Sequence, residues 1–304
     1  MSNKVNGIAR TKKQTKSKEY FDALLFAALV AFFLKIFFLE AFRIPTGSME
    51  NTLLVGDFLL VNKFVYGATS PRNIPFTDTR IPFFRLPPFK EPKKGDVVVF
   101  DFPGNRDELQ SKEVTNYIKR LIGEPGDTIL VKDKVLFVNG KIFPNPEHAI
   151  LNPRIQSSNT TDPRIFPKGS GWNEDNYGPL RVPRIGDEIY LTPDNFEMWK
   201  FFIAKDMRIT EFSDGRMPKM STDNKIIIGN RETNEYTVQQ DYFFMMGDNR
   251  NNSLDSRFWG FMPRDKVIGE ALVIYWSWDP AIPFSDFGKL VGSIRWDRIA
   301  RIIR

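Results

Sequence analysis

The chain of 304 residues contains no cysteine and a single histidine. Without cysteine there is no thiol nucleophile, zinc-thiolate site, iron–sulfur cluster or disulfide framework. The one imidazole, His148, stands in the loop-like run Pro144-Asn145-Pro146-Glu147-His148, so a Ser-His-Asp triad or a multi-histidine metal site would rest on it alone. It reads as a solvated loop residue. Tyrosine is scarce beside phenylalanine, 8 against 28, so some of this aromatic surface should meet something more apolar than water. Charge beyond the first twenty residues is nearly balanced. Six bases there (Lys4, Arg10, Lys12, Lys13, Lys16, Lys18) against Glu19 account for all but one unit of the net +6. That distribution gives no basic groove and no reason to expect a nucleic-acid partner.

The basic tail, residues 1–19, runs into an apolar segment, 20–42. From Ala23 to Leu39 only Lys35 interrupts it, and a bilayer core takes roughly 17–25 such residues per span. Lys35 lies near one end, where its stem can snorkel to the headgroups. A cleaved signal peptide would have a shorter apolar region, about 7–15 residues, ending in a small-x-small site. The sequence is therefore expected to carry an uncleaved single-pass anchor, with a buried soluble helix as the alternative. By the positive-inside rule its N-terminus is cytoplasmic and the rest lies on the outer, periplasmic or extracytoplasmic side of the inner membrane.

The remainder reads as mainly β. Gly-Asp followed by an apolar run recurs at Gly56-Asp57, Gly95-Asp96, Gly126-Asp127 and Gly186-Asp187, a turn that feeds a short buried strand. Val135 to Phe143 is a hairpin with Asn139-Gly140 at its turn, and Ala271 to Trp276 a late core strand. Residues 68–94 are rich in proline and carry Phe76, Phe83, Phe84 and Phe89, an irregular loop that rests on the bilayer or packs locally. Residues 144–237 are polar and proline-punctuated, with one helix-like piece around Asn195 to Lys205. They read as an inserted, non-catalytic subdomain between core parts 43–143 and 238–304.

Three stretches carry chemistry. Ser48 lies in Ile44-Pro45-Thr46-Gly47-Ser48-Met49-Glu50-Asn51-Thr52-Leu53. With histidine set aside, a hydroxyl nucleophile needs a carboxylate or a neutral lysine as base, and lysine becomes neutral only when burial pulls it down from about 10.4. In Tyr117-Ile118-Lys119-Arg120-Leu121-Ile122-Gly123 strand alternation sends Lys119 and Arg120 to opposite faces, and arginine does not give up its proton. An edge strand with both cations in water remains the alternative. The third stretch, Gly247-Asp248-Asn249-Arg250-Asn251-Asn252-Ser253-Leu254-Asp255-Ser256-Arg257, is a polar network pinned between Phe243-Phe244-Met245-Met246 and Phe258-Trp259-Gly260.

In this order, behind an apolar N-terminal segment, the three stretches resemble bacterial signal peptidase I, the Ser/Lys endopeptidase that removes signal peptides from exported preproteins. The resemblance covers about residues 20–143 and 238–304. It implies a β-barrel or sheet catalytic domain behind one transmembrane helix, with no metal and no cofactor. It implies Ser48 as nucleophile, Lys119 as general base, Ser253 as the hydroxyl that orients the lysine, and an oxyanion hole of the Ser48 N–H and the Thr46 hydroxyl. It further implies that Asp248, Asp255 and Arg257 support the site through ion pairs. Phe42, Ile44, Met49, Leu53 and Ile118 would line shallow pockets for small side chains. The partners it implies are exported preproteins and the lipid bilayer, close to the secretion translocon. Asn51 stands where the family has proline, and a looser turn after the nucleophile is expected there. A self-cleaving repressor of related chemistry would need an N-terminal DNA-binding unit where this chain has an apolar segment. A silent scaffold would lack Ser48, Lys119 or Ser253, and a sortase would need cysteine.

Overall fold

The structure is a computed structural model that describes residues 16–67, 85–112 and 115–304. It opens with helix α1 (Lys16–Phe37) and strands β1 (Leu39–Arg43), β2 (Asp57–Asn62), β3 (Val97–Asp101) and β4 (Asn116–Gly123). Then come β5 (Thr128–Lys132), β6 (Val135–Val138), β7 (Lys141–Ile142), β8 (Tyr177–Arg181), β9 (Glu188–Tyr190) and helix α2 (Phe196–Asp206). Short strands β10 (Lys219–Met220), β11 (Ile226–Ile228), β12 (Arg231–Glu232) and β13 (Glu235–Thr237) lead to β14 (Tyr242–Met246). Helix α3 (Ser256–Trp259), β15 (Met262–Pro263), β16 (Val267–Ser277), helix α4 (Phe287–Gly292) and β17 (Arg301–Ile302) follow.

The principal sheet is antiparallel, in the order β1-β2-β16-β3-β4-β14-β15, with β17 beside β16. A second sheet, β7-β6-β5-β8, contains the Asn139-Gly140 hairpin, whose two turn residues take φ of 53° and 75° as a tight right-twisting hairpin requires. The recurrent Gly-Asp pairs are one device used four times. Gly56, Gly95, Gly126 and Gly186 all have φ between 82° and 97°, and each following Asp accepts the N–H of the residue three before it, at 2.8 to 3.0 Å. The turn closes on itself, and the strand starts at a fixed register.

Alternation then sorts the core. In β3, Val97 and Val99 pack with Ile44, Met49, Leu53, Leu59 and Val61, whereas Val98 and Phe100 pack on the other face with Tyr66, Leu121, Phe243 and Met245. A third apolar cluster joins Ile122, Ile129 and Val138 to Phe196, Phe202, Val238, Phe244 and Phe261. Residues 144–237, expected as an inserted subdomain, contribute to one apolar cluster with strands on both sides of them. The helix-like piece is α2, whose Phe196, Phe202 and Ile203 lie in that core.

The expected span, 20–42, is corrected in its extent. The helix ends at Phe37, and Leu39–Arg43 leaves it to pair with β2, where Glu40 meets Lys63 at 3.2 Å. Among the described residues no helix is long and apolar enough to cross a membrane. The run without a charge, Ala23 to Leu34, is twelve residues, about 18 Å of helix against a hydrocarbon core of about 30 Å. Its apolar side chains are nonetheless exposed, with Leu24 at 70%. Most of the basic tail and of the 68–94 loop, with Phe76, Phe83 and Phe84, lies outside the described residues. Phe89 is exposed, its ring 4.6 Å from that of Phe64.

Candidate active site

Ser48 is placed by the corner between β1 and β2. Ile44 donates its N–H to Asp57 and accepts that of Gly56, which closes the corner, and Gly47–Met49 forms a single 3-10 turn within it. Leu53 N–H bonds Met49 O at 2.7 Å, and Asn51 takes φ of 71°. The expected loosening is therefore not seen. The chain here turns through the left-handed region, where asparagine is tolerated and proline, fixed near −65°, is excluded. Asn249 holds the turn from outside, donating its backbone N–H to Ser48 O at 3.1 Å and its side-chain amide to Gly47 O and to Glu50.

Lys119 enters from β4, an interior strand between β3 and β14, which removes the alternative of an edge strand with solvated cations. Only 4% exposed, it donates from Nζ to Ser48 Oγ at 2.5 Å. Burial pulls its pKa down from 10.5 to about 8, against the attraction of Asp255 and Asp248 for the ammonium. Arg120 does face the other way. Its Nε and Nη2 grip Asp248 at 2.9 and 2.6 Å, Nη1 donates to Gly95 O, and Thr52 adds a hydroxyl bond to the same carboxylate at 2.6 Å. A buried, doubly bonded carboxylate of this kind is fixed in place.

Asp255 caps α3 and accepts from Arg257 N, Arg257 Nε and Nη2, and Gly247 N. Burial would raise its pKa, but the Arg257 charge and these bonds hold it below the usual carboxylate range. Ser253 differs from what the resemblance implies. Its Oγ is buried and has no hydrogen-bond partner among the described residues. Thr46 is exposed, extended at φ −132°, and its hydroxyl makes no cap bond to the turn.

The five apolar residues expected as pocket lining do meet in one cluster. Ile44, Met49 and Leu53 are buried within it, so only Phe42 and Ile118 keep exposed surface; the first three form a floor. Arg298 is buried on Asp57 at 2.5 and 3.0 Å and reaches Thr52 O, while Arg295 bonds Val55 O. His148 is exposed, 2.9 Å from Arg301. Sequence reasoning passed over Asn249, the Arg120–Asp248 pair and Arg298–Asp57. A place next to Lys119, on the opposite face of the strand, was the one signal for Arg120; partners 128 and 241 residues apart leave none.

A family model described as "Signal peptidase, peptidase S26" matches residues 17–276. A signal peptidase I of Buchnera aphidicola is 32% identical, over 88% of this chain and 79% of its own length. One of Pseudomonas aeruginosa is 31% identical (86% and 72%), and one of Aquifex aeolicus 30% identical (84% and 82%).

Proposed function

The chain belongs to the signal peptidase family, peptidase S26, and is a signal peptidase I; from that premise we propose that it cuts exported preproteins with Ser48 as nucleophile and Lys119 as general base. The contact that carries this reading is the 2.5 Å bond between Ser48 Oγ and the buried Lys119 Nζ. An amine pulled down to about 8 is substantially neutral near pH 8 and can take the hydroxyl proton as Oγ attacks the scissile carbonyl. The Ser48 N–H and the Thr46 hydroxyl receive the oxyanion, a donor set in which one member typically contributes about 10²- to 10³-fold in rate. Lys119 then returns the proton to the leaving amine, and water, deprotonated by the same lysine, releases the acyl group. The free hydroxyl of Ser253 is available to the lysine once Ser48 turns to substrate. Arg120–Asp248 and Arg257–Asp255 hold the two carboxylates that stabilise the transient ammonium.

Phe42 and Ile118, over the floor of Ile44, Met49 and Leu53, suit small side chains before the cut, in keeping with small-x-small sites. The anchoring partner in this reading is lipid, met by the exposed apolar surface of α1. Ser48 then stays near the bilayer, where preproteins present their cleavage sites, close to the translocon. The test is processing of a small-x-small preprotein by the purified protein in detergent, beside Ser48→Ala and Lys119→Ala. Both variants should be inactive; cleavage at the parent's rate by both removes the assignment.

A further inference from the structure

The segment 144–237 has no part in the chemistry above, yet it grips the catalytic loop 247–257 at both ends. At the near end Ile150 forms a parallel bridge with Asn249, donating to Asp248 O at 2.9 Å and accepting from Arg250 N at 3.0 Å. Asn152 N–H adds a bond to the Asn251 side chain. At the far end Phe166 N–H bonds Arg257 O at 2.8 Å, and Arg257 Nη1 reaches Glu174 O at 3.4 Å and the Glu174 carboxylate at 3.8 Å. Arg257 thus lies between two carboxylates, Asp255 from its own loop and Glu174 from the other segment.

We propose that Glu174 is a positioning residue for the catalytic base, acting through Arg257 and Asp255. Resting on the reading of Lys119 as base, this gives the 144–237 segment a role in the reaction. The charged groups around Lys119 are Asp255 and Asp248, the latter held by Arg120. Those around Glu174 are Arg257, Asp255, Asp175 and Arg164, and Asp175 is itself paired with Lys134 at 2.7 Å. Glu174 offsets part of the Arg257 charge, which leaves more of the Asp255 field for the ammonium of Lys119. Without that carboxylate Arg257 is left with Asp255 and the more weakly coupled Asp175 and draws harder on Asp255, the ammonium is less favoured, and the lysine loses its proton at lower pH.

The experiment is kcat/KM against pH for the full chain in detergent on a small-x-small preprotein, with Glu174→Gln, Glu174→Asp and Lys119→Ala. Glu174→Gln should move the acidic limb to lower pH by about 0.3 unit, a twofold change in neutral lysine on that limb, with KM and melting temperature unchanged. Glu174→Asp, which keeps the charge, should keep the parent's limb. A limb that ignores Glu174→Gln overturns the proposal. So does a Glu174→Asp that moves the limb as far as Glu174→Gln although it keeps the charge, since that pattern follows from packing alone. Should Lys119→Ala cleave normally, the base assignment itself has failed; a parent dependent on Lys119 with an unmoved limb sinks only the role of Glu174.

Discussion

Replacing Lys119 with methionine should abolish cleavage and at the same time stabilise the fold near neutrality. The amine is held at about 8 in the folded chain against 10.5 for an exposed lysine. A depressed lysine releases a proton on folding, so at pH 7, below both values, the folded state bears the full cost of the shift, about 3 kcal/mol. As pH rises from 8 toward 10.5 the unfolded chain still binds the proton and the folded one does not. Stability therefore increases across this window, and by pH 10 the remaining cost is about 1 kcal/mol. Methionine fills a similar volume without charge and forfeits the bond to Ser48, worth about 1 kcal/mol. The variant should gain about 2 kcal/mol at pH 7, several degrees in melting temperature, and nothing at pH 10. Parallel urea or thermal unfolding of parent and variant at both pH values measures this. A variant less stable than the parent at pH 7, or a difference constant with pH, would refute the picture of a buried, partly neutral amine.

The remaining predictions concern the frame around the dyad. Asn51→Pro forces a φ near −65° onto a residue at 71° and should cost about 3 kcal/mol or more with loss of cleavage, whereas Asn51→Gly should match the parent within about 0.5 kcal/mol; equal stability of the proline variant in urea would contradict the turn. Gly247→Ala places a Cβ in overlap with Ser253 Oγ and Ser48 O, so a loss of about 1–3 kcal/mol and a lower kcat are expected from unfolding and cleavage assays. Arg298→Met leaves the buried Asp57 with only the longer Arg295 ion pair, at 4.0 Å, among the described residues and should cost about 3 kcal/mol in denaturant unfolding; a loss under about 1 kcal/mol would mean the pair contributes little.

Much of the strand framework is legible locally. Each Gly-Asp turn is encoded within four residues, because the glycine alone tolerates the positive φ and the aspartate closes the turn on its own neighbour. The Asn139-Gly140 hairpin and the piece that becomes α2 are equally local. The end of α1 is not. Leu39 to Arg43 has no proline or glycine to stop a helix, and pairing with β2, about twenty residues on, draws it into the sheet. The boundary at 144 marks a change of composition but no break in packing, since Phe196 and Val238 complete the core begun by Ile122 and Ile129.

The sequence by itself determined the candidate chemistry. The absence of cysteine and the isolation of His148 excluded thiol and triad chemistry and left a carboxylate or a neutral lysine as base, alternation put Lys119 and Arg120 on opposite faces, and the resemblance to signal peptidase I singled out Ser48 and Lys119. Only the tertiary structure decided that Lys119 is dry and 2.5 Å from a serine 71 residues away, that Arg120 holds Asp248, and that Arg298 holds Asp57. A pKa follows from the solvent that a fold removes and the charges it brings near. Neither quantity is a property of any short stretch of chain.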